Sequence, residues 1–407
     1  MPRCGPLLLS LLALLSCSSP TGSEPGPLEP PPEEEGPIVY QTRTTYAFQD
    51  STVFFSNEFP GARLSDMTTL GQGRYRAVIR PENAPINPSP WYSFKAWAEA
   101  SQAIQITLSY VDGNHRYDPK LSTDGSTWTR IAPQSYVVNS ALGEATLAVQ
   151  IGPDTLWVSA QELIAVSHMQ EWMESLASRD FVVLDTIGLS LDGRELVAVE
   201  IGSAANARRH ILVVGRQHPP EVTGAIALKA FMERLAEGDS LASRFREVYA
   251  VSAVPVANPD GVDEGHWRHN ANGFDLNRDW VDFNEPETAA IRDYFLAQAG
   301  EGGDQVYVGI DFHSTYSDRF YPLSDSFATN PPNLMEDWLA AIQARFPEEE
   351  LDIRPSGTSL GTTRAFFYPA FGCPAVIYEV GDDTPREHVR TKARVAAEAL
   401  MELVLEL

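Results

Sequence analysis

The alternation of apolar and polar positions divides this chain into two parts. From about residue 38 to residue 155, short runs either alternate apolar with polar residues or are rich in β-branched residues, and Gly, Asp, Asn and Pro stand between them. Such runs predict short β-strands, and many short strands bury their apolar faces most simply in a β-sandwich. We therefore predict an all-β sandwich domain over 38–155. Its clearest strands are YRAVIR (75–80), AIQITLSYV (103–111), TWTRI (127–131) and ATLAVQI (145–151).

After residue 155, amphipathic helical segments alternate with nearly continuous apolar runs. An apolar run without a polar face indicates a strand that is covered on both sides. Residues 156–407 therefore predict an α/β domain with a mixed, mostly parallel sheet flanked by helices. Active residues in such folds collect at strand ends, where loops present them. The strongest strand predictions are RRHILVVG (208–215), REVYAVSAVPV (246–256), DQVYVGIDFH (304–313) and CPAVIYEV (373–380).

The N-terminus has the pattern of an export signal. A basic residue precedes an apolar run from Leu7 to Leu15, which is shorter than a transmembrane helix and suits the core of a secretory signal. The segment LLSC (14–17) resembles the lipobox of bacterial lipoproteins, in which the cysteine becomes the lipidated N-terminus. We expect a signal peptide over 1–17 and a lipid anchor at Cys17, with simple cleavage and secretion as the alternative.

Composition limits the partners of the protein. Residues 18–37 are rich in Pro, Glu, Ser and Gly and predict an extended acidic linker. The formal net charge of −25 argues against nucleic acid as a partner, and membrane contact is expected only through the lipid anchor. Of the three cysteines, only Cys373 lies beyond the signal region. This excludes an internal disulfide framework, and we interpret Cys373 as a small buried residue.

A histidine and a glutamate stand at the mouth of a predicted buried strand. The run ILVVG (211–215) is followed by RQHPPE (216–221), in which His218 and Glu221 have the i, i+3 spacing that lets both side chains reach one metal ion. The two intervening prolines end the strand and leave Glu221 in the first turn of a helix. Imidazole and carboxylate suit zinc, which in catalytic sites takes three protein ligands and leaves the fourth position to water.

A third ligand is expected from another strand end, and His313 of the DFHS motif follows the apolar run VYVGI. Two other sets of residues are weaker candidates. His168 and Glu171 repeat the same spacing inside a predicted amphipathic helix, so we interpret them as ordinary polar residues. His266 and His269 lack a placed carboxylate, and we interpret them as structural or rim residues.

Several motifs of the second part follow one another in a set order. They are HPPE (218–221), the arginine of HWR (266–268), DLNR (275–278), DFHS (311–314) and YEVGD (378–382). In this order the sequence resembles the zinc carboxypeptidases of the carboxypeptidase A superfamily. It is more similar to the cytosolic carboxypeptidase-like branch, in which NPDG, an arginine and DLNR come in close succession and a β-sandwich precedes the catalytic domain. The likeness extends over 38–407.

The resemblance implies a single zinc ion that is held by His218, Glu221 and His313. It also implies that Asp275 accepts a hydrogen bond from a ligand imidazole, which fixes the tautomer and raises the basicity of the ring. Glu379, at the end of a predicted buried strand, would take a proton from the attacking water and pass it to the leaving amine. A nearby salt bridge is the structural alternative for this carboxylate.

The resemblance assigns the substrate contacts to polar and basic side chains. Arg268 would polarise the scissile carbonyl and stabilise the oxyanion. Asn277 and Arg278 would hold the terminal carboxylate of the substrate, a task that suits the planar fork of a guanidinium.

Two departures from the family concern the substrate more than the hydrolysis. Pro220 stands where the pancreatic-type enzymes have an arginine, and the cytosolic-type branch lacks that arginine too. The tyrosine that closes over substrate in the pancreatic type has no assigned counterpart here, because Tyr316, Tyr321 and Tyr368 are all near in sequence.

Together these features predict an exported, lipid-anchored zinc metallocarboxypeptidase that acts on peptides with a free C-terminal carboxylate. Two alternatives stay open. Related zinc deacylases cleave acylated amino acids and would need a closed pocket, whereas a peptidase needs a groove. A surface lipoprotein that binds peptide or glycan through its sandwich, with an inactive catalytic domain, is the other alternative. The presence of every expected ligand and of Glu379 argues against an inactive domain.

Overall fold

The computed structural model describes residue 1 and residues 36–49, 52–202, 209–298 and 304–407. Apart from residue 1, the predicted signal peptide with its anchor at Cys17 lies outside the described residues, as does the predicted linker up to residue 35. Within the described ranges, no helix combines the length and the apolar composition that a membrane crossing needs.

The first part of the chain forms the predicted β-sandwich. Its two sheets have the strand orders β1-β2-β5-β11-β7-β8 and β3-β4-β6-β10-β9. Phe55 of β2 and Tyr75 of β4 pack across the two sheets with ring centroids 4.9 Å apart, so the apolar faces meet in a shared core. The strands are β1 (Thr45–Phe48), β2 (Val53–Ser56), β3 (Asp66–Gly71), β4 (Arg74–Ile79), β5 (Ser93–Ala98), β6 (Gln102–Tyr110), β7 (Lys120–Ser122), β8 (Thr129–Arg130), β9 (Tyr136–Asn139), β10 (Glu144–Ile151) and β11 (Leu156–Ser159).

The sequence pattern predicts that the sandwich ends at residue 155, and strand β11 lies just beyond that residue. It pairs with β5 and β7 in the first sheet, so sheet pairing continues a few residues past that point. The exact domain boundary stays a prediction.

The second part forms the predicted mixed sheet, in the order β12-β13-β15-β14-β16-β18-β17. The four central strands, from β15 to β18 in this order, are parallel, and the remaining strands pair antiparallel at the edges. Its strands are β12 (Val182–Leu189), β13 (Glu195–Ile201), β14 (Arg209–Gly215), β15 (Tyr249–Val254), β16 (Gln305–Thr315), β17 (Arg319–Pro322) and β18 (Ala375–Gly381). The helices are α1 (Val166–Leu176), α2 (Val222–Leu235), α3 (Ser240–Val248), α4 (Pro259–Glu264), α5 (Pro286–Gln298), α6 (Leu334–Arg345), α7 (Arg364–Phe371) and α8 (Arg386–Val404).

Helices cover both faces of this sheet, as continuous apolar strands require. Successive residues of a strand point to opposite faces, and β14 shows the consequence. Ile211 and Val213 belong to the hydrophobic core that contains the apolar side chains of α2 and α8. Leu212 and Val214 belong to a second core, shared with α5 and α7. The parallel strands therefore run between two apolar layers, and their carboxyl ends open at one edge of the sheet.

A glycine lets α2 pack closely against β16. A Cβ atom on Gly224 would lie 2.6 Å from the carbonyl oxygen of His313, closer than van der Waals contact allows. Since Glu221 is the N-cap residue of α2, this close approach brings the start of the helix to the end of the neighbouring strand.

Candidate active site

Three buried side chains, those of His218, Glu221 and His313, come together at the carboxyl ends of β14 and β16. Nδ1 of His218 is 2.7 Å from one carboxylate oxygen of Glu221, and Nδ1 of His313 is 2.8 Å from the other. The three candidate ligand atoms lie within 4.8 Å of one another. The structure thus brings together the three residues that the sequence predicts as metal ligands.

The second ring nitrogen of each histidine faces another carboxylate. Nε2 of His218 is 2.9 Å from Oδ1 of Asp275, and Nε2 of His313 is 2.9 Å from Oδ2 of Asp311. A carboxylate at Nε2 orients the ring and directs Nδ1 toward the cluster. Asp275 lies where the sequence predicts it. The sequence predicts no role for Asp311, although its position two residues before His313 on the same strand places both side chains on one face of the sheet.

Asp311 is itself held in a buried network. Its Oδ2 accepts hydrogen bonds from Gln217 and Thr363, each 2.8 Å long. Burial by itself would lower the pKa of His313, but Asp311 and Glu221 outweigh it and raise that pKa well above the ordinary value. The two carboxylates therefore favour a proton on both ring nitrogens, and a metal ion would replace the proton on Nδ1.

The donor set fits a zinc ion. Two imidazoles and one carboxylate form one of the usual ligand sets of catalytic zinc sites, and the carboxylates behind both rings supply the outer layer that such sites use. Burial would raise the pKa of Glu221, but His218 and His313 outweigh it and hold that pKa below its ordinary value. Glu221 is therefore an anionic donor at the centre of the cluster.

Arg268 lies against the same outer layer. Its Nε and one terminal nitrogen are 2.8 Å and 2.7 Å from Oδ2 of Asp275, whose other oxygen contacts His218. Burial would lower the pKa of Arg268, but Asp275 outweighs it and raises that pKa, so the guanidinium keeps its charge. One carboxylate thus positions both a candidate metal ligand and the predicted oxyanion-binding arginine.

Asn277 and Arg278 lie in a short 3-10 turn that starts after Asp275. Nδ2 of Asn277 is 3.4 Å from Nε2 of His313, and its buried Oδ1 has no partner among the described residues. The Arg278 side chain is 42% exposed and donates to the backbone carbonyl of Asn277. Asn277 therefore lies at the cluster, and the Arg278 guanidinium is accessible from solvent.

Glu379 lies half-buried beside the cluster on β18, where it is the register partner of His313 on β16. Burial raises its pKa to about 7, with His313 opposing the shift. Its Oε2 has no hydrogen-bond partner within the described part of the chain. In these ranges it also forms no ion pair with an arginine or lysine, so the salt-bridge alternative finds no support.

The two aspartates after Glu379 differ from it and from each other. Asp382 is buried and pairs with Arg116, a residue of the sandwich, at 2.8 Å, whereas Asp383 is exposed. Arg116 also lies over the ring of Tyr316, with 4.2 Å between the guanidinium carbon and the ring centroid. The sandwich therefore contacts the segment that follows the candidate base.

The weaker histidine candidates have structural partners. Nδ1 of His168 accepts a hydrogen bond from the backbone N–H of Ala165 at the start of α1, which explains its position without a metal. His266 contacts the carbonyl oxygen of His269 through Nδ1 at 3.0 Å, and both rings are buried. His269 further contacts Asn83 of the sandwich at 2.6 Å.

A second group of possible ligands, Asp318, Glu349 and His388, surrounds an ammonium group. Nζ of Lys392 is 3.1 Å from Asp318 and also contacts Glu349. Because a side-chain cation already lies between these carboxylates, the group is an ion-pair network.

The chain is similar in sequence to known carboxypeptidases. The chain is 27% identical to human cytosolic carboxypeptidase 6 over 299 residues, which cover 66% of this chain and 58% of the human protein. The chain spans 58% to 64% of the length of three curated relatives that it matches.

Solved structures share the fold at lower identity. A metallo-carboxypeptidase from Burkholderia cenocepacia aligns with a TM-score of 0.71 at 18% identity, over 87% of this chain and 100% of that one. A metallo-carboxypeptidase from Pseudomonas aeruginosa, in complex with (2-guanidinoethylmercapto)succinic acid, aligns with a TM-score of 0.69 at 19% identity, over 86% of this chain and 99% of that one. Residues 169–403, more than half of the chain, match the family described as zinc carboxypeptidase. The chain belongs to the zinc carboxypeptidase family.

Proposed function

We propose that this protein is a metallocarboxypeptidase that removes the C-terminal residue of peptides with one zinc ion and Glu379 as the base. The observation that carries the proposal is the position of Glu379. It is a half-buried residue whose carboxyl group has a raised pKa, its buried Oε2 has no partner among the described residues, and it lies beside His313 of the ligand cluster.

The ion would be held by His218, Glu221 and His313. When bound, zinc supplies a Lewis acid that makes water more acidic and polarises a carbonyl group. Glu379 would accept the proton of the attacking water and return it to the leaving amine. The Oε2 atom of Glu379, which has no partner among the described residues, is left to take this proton.

Arg268 would bind the carbonyl oxygen as it gains negative charge. Asp275 occupies Nε and one terminal nitrogen of the guanidinium, so the other terminal nitrogen is left for substrate. A charged donor that is already oriented stabilises an oxyanion without reorganisation.

Asn277 and Arg278 would select the free carboxylate of the substrate. The exposed guanidinium of Arg278 reaches solvent, from which a substrate arrives, and the buried amide of Asn277 lies at the cluster. The Pseudomonas aeruginosa protein that shares this fold forms a complex with a succinic acid derivative, a ligand that carries carboxyl groups.

Hydrolysis of a peptide panel tests the proposal. Matched peptides with a free or an amidated C-terminus, and N-acylated amino acids, would be incubated with the protein, with and without a zinc chelator. We expect loss of single C-terminal residues from the free peptides only, and only without chelator. Cleavage of acylated amino acids alone would favour the deacylase alternative, and a zinc-loaded protein that cleaves nothing would favour the binding alternative.

A further inference from the structure

A carboxylate of the sandwich holds the loop that carries Arg268. Glu82 lies between β4 and β5 and is completely buried. One of its carboxylate oxygens accepts hydrogen bonds from the backbone N–H groups of Arg268, at 2.9 Å, and His269, at 2.8 Å. The other oxygen accepts from the N–H group of Trp267 at 2.7 Å. Three consecutive amides thus converge on a single side chain.

Only an ionised side chain satisfies these amides well. Residues 267–269 belong to neither a helix nor a strand, so their buried N–H groups need acceptors from elsewhere. Burial would raise the pKa of Glu82, but His266 and the buried Arg63 outweigh it and lower that pKa. Bonds from N–H groups to a charged acceptor are the strong class of hydrogen bond.

Further hydrogen bonds link Arg268 to one of the candidate metal ligands. The Arg268 guanidinium binds Oδ2 of Asp275, and Oδ1 of Asp275 binds Nε2 of His218. A shift of the 267–269 backbone would therefore move the guanidinium and also the carboxylate that orients His218.

Neighbouring sandwich residues hold the same loop. Asn83 contacts the His269 ring and donates to the carbonyl oxygen of Gly273. The indole N–H of Trp267 donates to the carbonyl oxygen of Trp91 at 3.1 Å. The residues before and after Arg268 are thus both hydrogen-bonded to the sandwich. Among the sandwich groups that form these bonds, Glu82 is the charged one.

We propose that Glu82 is a positioning residue for the reaction, which sets the place of Arg268 through its backbone and that of His218 through Asp275. The β-sandwich is then an integral part of the catalytic unit. This inference rests on the proposed peptidase function, and its test also includes measurements that do not need peptide hydrolysis.

The kinetic test compares Glu82→Gln with Glu82→Asp. Glutamine presents an N–H group where one backbone amide needs an acceptor. Aspartate keeps the negative charge, but its side chain is one methylene group shorter, so the carboxylate lies farther from the amides of residues 267–269. We expect Glu82→Gln to lower kcat about 10-fold or more with KM nearly unchanged, because small displacements of an oriented group are costly. Glu82→Asp should retain more activity. In an Arg268→Ala background, Glu82→Gln should cause little further loss, since the two residues act as one unit.

A matched control removes another contact between the sandwich and the second domain. Arg43 pairs with Glu264 at the end of α4 at 3.1 Å, and none of its hydrogen bonds in the described residues reaches 267–269. Arg43→Gln should lower stability slightly and leave kcat unchanged. Equal loss of kcat in Arg43→Gln and Glu82→Gln would overturn the proposal, because any weakened interface would then have the same effect.

Two measurements keep the inference testable if wild-type protein cleaves no peptide. Hydrogen exchange followed by mass spectrometry should show faster exchange in Glu82→Gln confined to about residues 265–278. Competition with a chromogenic chelator should show zinc affinity several-fold weaker, because His218 loses its orientation. Unchanged exchange and unchanged zinc affinity would overturn the proposal, as would a general loss of stability with normal kcat in the folded fraction.

Discussion

Glu379 lies directly opposite His313 in the register of two adjacent parallel strands. Residues paired in this way point to the same face of a sheet, so the backbone hydrogen bonds of β16 and β18 hold the candidate base beside a candidate metal ligand. Asp311 lies on that same face, two residues before His313. A one-residue slip between strands would turn these side chains to the opposite face, so the register of the central sheet determines the spacing of the site.

Replacement of Glu379 by glutamine should abolish turnover and spare zinc binding. The amide keeps the shape of the side chain but cannot accept and return a proton, so we expect kcat to fall by about 100-fold or more. Steady-state kinetics and the zinc content of the purified protein check this. Asp383→Asn, at an exposed carboxylate four residues further on, is the control and should behave as wild type. Wild-type turnover in Glu379→Gln would remove this residue as the base.

Replacement of Asp311 by asparagine should weaken zinc binding. Asparagine is neutral and nearly isosteric, so the His313 ring would lose the charge that keeps it basic and oriented. We expect the dissociation constant for zinc to rise by about 10-fold to 100-fold, the usual effect of losing an outer carboxylate. Competition with a chelator of known affinity measures it. Asp293→Asn, which alters an exposed helix residue, should leave the affinity unchanged, and equal affinities in all three proteins would contradict the assignment.

The arginine proposed to select the substrate gives a prediction about specificity. In Arg278→Gln, KM for peptides with a free C-terminus should rise by about 10-fold to 100-fold, because a hydrogen bond to a charged group contributes about 1.5 to 3 kcal/mol. Amidated peptides, which offer no carboxylate to Arg278, should stay uncleaved in both proteins. Arg292→Gln, at a surface arginine of α5, is the control. An unchanged KM for free peptides in Arg278→Gln would show that another group recognises the carboxylate.

Local sequence predicted the elements that carry the site. Continuous apolar runs such as 211–215 are typical of strands buried on both faces, and the structure confirms the mixed sheet and the sandwich before it. The metal cluster follows from the same reasoning, because His218 and His313 both stand where a parallel strand ends. Ligands from separate strand ends must meet at one edge of such a sheet.

The contacts of the sandwich with the site could not be predicted in this way. Glu82 and Arg116 have no periodic pattern or motif, and their importance depends on how two separately patterned domains pack. Glu82 lies 186 positions from Arg268, and no local rule joins residues at that distance. Asp311 is the intermediate case: its spacing from His313 carried a signal, but only the folded strand shows which ring nitrogen it contacts.

The buried pair of Asp382 and Arg116 gives a prediction for the pH dependence of stability. Burial raises the pKa of Asp382 to about 6, although Arg116 opposes the shift. Between about pH 4 and this value, the folded protein keeps a proton that the unfolded chain, with an ordinary aspartate pKa of about 3.9, has released. Rising pH in this window therefore favours the unfolded chain, and this residue should lower the free energy of unfolding by ~3 kcal/mol across it.

Urea denaturation of wild type and Asp382→Asn at a series of pH values tests this. Asparagine does not titrate, so the free energy of unfolding of the variant, minus that of wild type, should grow as pH rises from 4 to 6 and then level off. Arg116→Gln leaves the carboxylate buried without its cation. Its pKa should rise further and extend the loss of stability above pH 6. Asp293→Asn, at the exposed carboxylate of α5, is the control and should follow wild type at every pH. A difference between Asp382→Asn and wild type that does not vary with pH would show that Asp382 has an ordinary pKa in the folded protein.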